Sequence, residues 1–378
     1  MLAVSLIAAA FGARTAVSLA ADDRTMTIPV VLPLTGSGAE YGAGDKLALQ
    51  MAFDALNAHG GIDGYQLKAD LYDDGSIAAQ SAGIMHGLVG ASLAILGPNL
   101  STTCKAAFPI ANATGVAAIS SSISDASIIA QNRPWTFNVF LPGNVLEKAA
   151  ADKFVAMKKF KTVVAIVDRD EIASSAQATF LLDALQADGV TVVRRIDVSG
   201  QQATYESEAD AAQALKPDVL VVSAYPDPTG AIVKAVRGVG MKQPILFTTT
   251  SVTPDSLRIG GSAMTNGWVM LESWPGLGNA RKRAFDAEFE KRSGGVVPEP
   301  TAPYMYDSAL LLGEALKTSG VLRSNAPLAQ KRAALRDAIA HQHVAGVTGD
   351  WNMTPDGLRT GNPLWVEVRD GKVVEAHG

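Results

Sequence analysis

Hydroxyl side chains cluster at two points where the pattern of the chain changes. Ser101, Thr102 and Thr103 follow the turn Gly97-Pro98 and open an alanine-rich helical stretch over 105–113. Ser120, Ser121, Ser122 and Ser124 lie just past the end of the apolar run 116–119. Hydroxyl residues at a helix start satisfy N–H groups that have no partner inside the helix. Left free, those N–H groups and the helix dipole form an anion site. In an open α/β sheet, ligands bind outside the carboxyl ends of the strands. The chemistry this suggests is recognition of an anion such as a carboxylate. An ordinary cap at Ser101 and an ordinary loop at 120–124 explain this stretch equally well by itself.

No spacing in the chain supports catalysis. Gly36-Ser37-Gly38-Ala39-Glu40-Tyr41 follows a strand and precedes a helix, but Tyr41 occupies the place of the third glycine of a dinucleotide fingerprint. Neither a phosphate-binding GxxxxGK[ST] nor a nucleophile-elbow GxSxG occurs. The five histidines, His59, His86, His341, His343 and His377, are scattered, and His341 and His343 point to different faces of a helix end. Carboxylates are plentiful, as at Asp73-Asp74, yet none is paired with a nucleophile or base. No catalytic set, metal site or cofactor site is expected. Aromatic residues near strand ends are more suggestive. Tyr41 follows the first strand and Tyr225 follows the strand 219–223, while Trp135 precedes a change of lobe near 137–143. With the serines they fit one polar pocket with aromatic walls.

The elements that would hold this pocket alternate regularly. Apolar strands are predicted at 27–32, 65–72, 92–96 and 116–119, with helices at 44–58, 77–89 and 105–113 between them. A second set follows: helices at 145–160, 174–188, 206–215 and from 227 to about 238, with strands at 162–167, 190–196, 219–223 and 245–248. Asp227-Pro228 reads as the opening of the last of these helices, with Asp227 as its cap. Helices at 280–293, 304–317 and 328–342 and a strand at 364–369 return to complete the two sets. Strands alternating with helices of this length imply βαβ units, hence an α/β fold of two doubly wound, Rossmann-like lobes.

Composition agrees. At 378 residues the chain is longer than one core usually serves. Hydrophobic residues make up 48% and charged residues 18%, which excludes a disordered chain. The net charge is −5 and no basic stripe occurs, so nucleic acid is not an expected partner. One cysteine, Cys104, excludes an internal disulfide. Residues 2–12 are apolar, and Ser18-Leu19-Ala20 gives a small-x-small cleavage pattern before a polar stretch. Residues 1–21 therefore read as a signal peptide whose basic start is missing. Export to the periplasm is expected, and no later run approaches the ~18 apolar residues of a membrane span.

The chain resembles the periplasmic solute-binding proteins of ABC transporters, of the leucine/isoleucine/valine-binding type. The resemblance runs from about 26 to 371. It is carried by IPVVLPLTGSGAEYGAGDKLALQMAFDALNAHGGIDGYQLKADLYDD at 28–74, LAILGPNLST, GVAAISSSIS, PDVLVVSAY and GDWNMTPDG. It implies the type I periplasmic binding fold, with two lobes joined by three hinge crossings. Lobe one would be 22–140 plus 275–350, and lobe two 141–274 plus 351–378. It further implies a monomeric receptor that closes on a small carboxylate or amino acid and passes it to ABC transporter permease subunits. A sensor for a signalling partner and an enzyme on a doubly wound sheet are the other classes considered.

By the same resemblance, the ligand carboxylate would meet Ser101 at the helix start, with Thr102 beside it, and the pair Ser122 and Ser124. Tyr41 would cover the ligand from lobe one, and Tyr225 would contact it from lobe two. Two positions depart from the family pattern. Thr250 stands where amino acid receptors carry an acid for the ligand's α-ammonium, and Ala173 where an aromatic contact is expected. A buried ammonium without a counter-charge is expensive. No other carboxylate in the sequence is an obvious substitute. The expected ligand is therefore a carboxylate lacking an α-amino group.

Overall fold

In a computed structural model that describes residues 24–376, two parallel sheets are built from alternating strands and helices. The expected signal peptide, 1–21, lies outside the described residues. The first set comprises β1 (Arg24–Leu32), α1 (Ala39–Ala58), β2 (Tyr65–Asp73), α2 (Ala78–Leu88), β3 (Ala94–Leu96), α3 (Ser101–Thr114), β4 (Ala117–Ser120), α4 (Ala126–Gln131) and β5 (Thr136–Asn138). The second comprises α5 (Gly143–Met157), β6 (Thr162–Asp168), α6 (Ile172–Ala187), β7 (Thr191–Val198), α7 (Glu206–Ala214), β8 (Val219–Ser223), α8 (Pro226–Gly238), β9 (Ile245–Phe247), α9 (Pro254–Gly260) and β10 (Gly267–Leu271). Helices α10 (Ala280–Ser293), α11 (Ala302–Ser319) and α12 (Leu328–Ile339) follow, then β11 (His343–Gly346), β12 (Gly349–Asn352), β13 (Leu364–Arg369) and β14 (Lys372–Glu375).

The first sheet has the order β2-β1-β3-β4-β5 and is wholly parallel. The second has the order β14-β13-β10-β9-β8-β6-β7. Its five strands β6 to β10 are parallel, and β13 and β14 add antiparallel at one edge. Both sheets are covered on two faces, as near-continuous apolar strands require. Ile28, Val30 and Leu32 belong to one core cluster while Val31 belongs to the cluster formed with α2 and α3. Val163, Ala165 and Val167 are likewise separated from Val164 and Ile166. Helices α10 and α11 pack on α1, and α12 packs on α11, so the chain returns to the first sheet after β10. It crosses again before β13. With the passage from β5 to α5, that makes three crossings.

Several helix starts differ from expectation, and α3 begins at Ser101 rather than near 105. Helix α1 begins at Ala39 rather than near 44, so Tyr41 lies in its first turn. Gly36, at φ 85°, makes the turn that allows this. Gly42 then lets the helix approach its own strand, because a Cβ there would lie 2.1 Å from the Pro33 carbonyl oxygen. The close packing that a third fingerprint glycine would have given thus arises one residue later. Helix α8 begins at Pro226 with Tyr225 as its N-cap, so Asp227 is a first-turn residue and not the cap. Proline fits there because its missing N–H would have no helical partner.

Candidate functional site

The carboxyl ends of both sets of strands face one cavity. Tyr41, at the start of α1, and Tyr225, just past β8, form its aromatic wall. Each is 5% exposed, and their rings meet edge to face with centroids 5.7 Å apart. The Tyr41 hydroxyl donates to the Thr250 carbonyl at 3.2 Å. Leu100 and Ala173 pack into the same patch, so the small residue at 173 leaves its share of the wall to the two tyrosines.

The polar wall is a chain of hydrogen bonds. Ser101 is the first residue of α3, not its cap; Leu100 holds the N-cap position and offers no side-chain cap. The Ser101 Oγ instead accepts from the Ser124 N–H at 3.3 Å. The Ser124 hydroxyl accepts from Gln177 Nε2 at 2.6 Å. Gln177 Oε1 accepts from the Thr250 N–H at 3.1 Å and the Thr250 hydroxyl at 3.0 Å. The Ser122 hydroxyl donates to the Asn99 carbonyl at 2.5 Å. Tyr41, Ser122, Ser124, Tyr225 and Thr250 therefore line the cavity together. Ser101 stands one bond behind it. Thr102 is engaged elsewhere: its hydroxyl donates to Glu171 Oε2 at 3.2 Å, while Ser37 donates to Glu171 Oε1 at 2.8 Å.

Four residues of the site were not anticipated. Gln177 and Glu171 sit on or beside α6, inside an otherwise unremarkable helical pattern. Glu272 and Tyr304 also line the cavity, which corrects the expectation that no carboxylate was placed to substitute for the acid that Thr250 replaces. Glu272 follows β10, and the Leu141 N–H donates to its Oε1, while Oε2 is buried without a partner among the described residues. Burial, opposed by the charge of Arg359, pushes the Glu272 carboxyl up to about 7. Tyr304 is 0% exposed, and its hydroxyl has no hydrogen-bond partner among the described residues. The strand-end rule that located Ser122 and Tyr225 would have located Glu272 too, had the short run 267–271 been read as a strand.

Tyr225 also lines an adjoining depression that carries Glu40, Asp168, Asp170, Glu171, Asp227 and Asp255. Arg258 pairs with Asp255 at 2.9 Å, and Arg169 lies 3.9 Å from Asp170. Burial and the nearby Asp255 push Glu40 up to about 7, and its Oε2 accepts from the Thr253 hydroxyl at 3.3 Å. Among the described residues no cluster of His, Cys, Asp and Glu could hold a metal ion.

Residues 25–372 match the family model described as "Periplasmic binding protein". A leucine-, isoleucine-, valine-, threonine- and alanine-binding protein of Pseudomonas aeruginosa is 28% identical over 156 residues. The matched stretch spans 41% of this chain and 41% of that relative's length. Among solved structures, a leucine-binding protein from Thermotoga maritima superposes with a TM-score of 0.83 at 20% identity, covering 93% of this chain and 98% of the other. A solute-binding protein of an ABC transporter from R. palustris, in complex with benzoate, also gives 0.83, at 19% identity and 93% and 95% coverage. These likenesses concern the fold.

Proposed function

This chain belongs to the periplasmic binding protein family, and we propose that it captures a small carboxylate outside the cytoplasm for an ABC importer. The observation that carries this reading is the cavity itself. Its walls come from the strand ends of two sheets and are stitched by Ser124, Gln177 and Thr250. The ligand carboxylate would take the hydroxyls of Ser122 and Ser124 and the uncapped N-terminus of α3, with Ser101 fixing Ser124 from behind. Tyr41 and Tyr225 would cover its apolar body. Lobe one, 22–140 plus 275–350, and lobe two, 141–274 plus 351–378, would close by a hinge. A monomer would hand the ligand to permease subunits without chemistry, after export directed by residues 1–21.

The ligand would lack an α-amino group. Thr250 is neutral, and both its N–H and its hydroxyl already donate to Gln177. One observation favours a second reading, an amino acid receptor: Glu272 puts a carboxylate on the cavity wall. Calorimetry against aliphatic, keto and aromatic acids and their α-amino counterparts separates the two. Tighter binding of an acid than of its amino counterpart is expected, whereas tight binding of leucine or valine with the acids silent would overturn the reading.

A further inference from the structure

We propose that Glu272 and Tyr304 form a subsite for a hydroxyl group on the ligand, so that the transported solute is a hydroxylated carboxylate. The inference rests on the carboxylate reading given above and deepens it. Two polar atoms on the cavity wall lack partners among the described residues, Glu272 Oε2 and the Tyr304 hydroxyl. Buried polar groups in folded proteins are nearly always hydrogen-bonded, so each such atom calls for an explanation. The two groups are neighbours, at the margin of a hydrogen bond with each other that is too loose to satisfy either, and the Glu272 charge adds to burial in pushing the Tyr304 phenol up.

The rest of each side chain is fixed. Glu272 is held through Oε1 by the Leu141 N–H. Tyr304 is clamped edge to face by Phe140, with centroids 5.2 Å apart. The Arg359 guanidinium lies 5.4 Å from the centre of the Tyr304 ring and 4.9 Å from that of Trp351. Its hydrogen bonds to Thr348 Oγ1 at 2.7 Å and the Thr360 carbonyl at 3.0 Å hold it in place. A preorganised pair of this kind loses little freedom when a ligand arrives.

The chemistry selects a hydroxyl over an ammonium. A carboxylate oxygen accepts, and a phenol can donate; a hydroxyl does both and engages each. An ammonium only donates and would leave the phenol proton to Glu272. Nor is a cationic ligand needed to balance Glu272, because Arg359 already opposes its charge from behind. Phe140, Leu271 and Pro300 on the same cavity offer apolar surface for the carbon skeleton between the two polar ends.

The test uses calorimetry on the full chain with pairs of acids that differ by one hydroxyl. Suitable pairs are benzoate with 3- and 4-hydroxybenzoate, and pentanoate with 4- and 5-hydroxypentanoate. The best hydroxy acid is expected to bind about tenfold or more tightly than its parent. Tyr304→Phe and Glu272→Gln should each remove most of that preference. Thermal unfolding of each variant checks that it folds, and the two substitutions serve as independent probes. Equal binding of parent and hydroxy acids, or a preference that survives both substitutions, would overturn the subsite and leave the carboxylate receptor standing. An α-amino acid that binds tightest, and is lost in Glu272→Gln, would overturn the subsite and the ligand class together.

Discussion

Gln177, on α6 against the second sheet, donates at 2.6 Å to the hydroxyl of Ser124, which lies past the end of β4 in the first. The same amide accepts twice from Thr250, so one side chain joins the proposed carboxylate pocket to the opposite wall. Gln177 is fully buried. Gln177→Ala should weaken ligand binding by about 1–3 kcal/mol, the range for leaving buried partners unsatisfied. Small-angle scattering should then show a larger radius of gyration than the wild type under the same ligand concentration. Unchanged affinity and unchanged scattering would remove the proposed coupling between walls.

Ser101 acts on the carboxylate pocket through Ser124. Ser101→Ala leaves the Ser124 N–H without its acceptor and should reduce ligand affinity by about 1–3 kcal/mol. Isothermal calorimetry measures this directly. An equal loss in Thr102→Ala would argue against it, because the Thr102 hydroxyl is directed to Glu171 instead.

Stability should fall as pH rises. Glu147 is buried on α5, where the Thr249 N–H and hydroxyl donate to its Oε1 at 2.9 and 3.0 Å, and Oε2 has no partner among the described residues. Burial, only partly offset by those bonds, pushes its carboxyl from 4.5 up to about 8. The folded chain then holds a proton that the unfolded chain has released between pH 4.5 and about 8. The stabilisation is complete below 4.5 and is lost as pH climbs through about 8. Glu40, Asp45 and Glu272, each raised by burial to about 7, act in the same direction. Glu147→Gln should flatten the decline of Tm across this window. A variant with the wild-type pH profile would assign the dependence to the other buried carboxyls, Glu299 among them.

Thr250→Glu tests the proposed ligand class from the protein side. A carboxylate introduced there would sit against Gln177 and Tyr41 and supply the counter-charge that threonine lacks. Binding should shift toward α-amino acids by about tenfold or more relative to the matching acids. A competition assay in which both classes lose affinity equally would show only that the loop had been damaged.

The alternation of strands and helices was legible because buried parallel strands and amphipathic helices carry distinct periods. The strand ends then located Tyr41, Ser122, Ser124 and Tyr225 on one cavity, and the family resemblance added Thr250. Not all of what stayed hidden has a physical cause. β5 and β10, at three and five residues, went unread although β3, β8 and β9 are as short and were read. Missing β10 meant missing Glu272 at its end. Gln177 lies mid-helix, where a polar residue normally faces water, and only packing between the two sheets buries it. Tyr304 sits in the apolar stretch of α11, where an aromatic ring reads as core, and its hydroxyl becomes significant only beside Glu272. The turn at Gly36 and the close approach at Gly42 moved the start of α1, because backbone contacts of that kind leave a glycine but no period in the sequence.

The acidic depression beside Tyr225 has a kinetic consequence. An anionic solute arriving there meets up to six carboxylates against two nearby arginines, on a chain whose formal net charge is −5. Its approach is slowed by like charge, whereas most fast protein associations are accelerated by opposite charge. Raising ionic strength shortens the reach of that repulsion, to about 10 Å at 0.1 M. Capture of a carboxylate should therefore speed up with added salt in stopped-flow measurements, and neutralising Asp227 should reproduce the effect at low salt. The depression would thus set how fast solute enters, while the buried serines and tyrosines govern how long it stays.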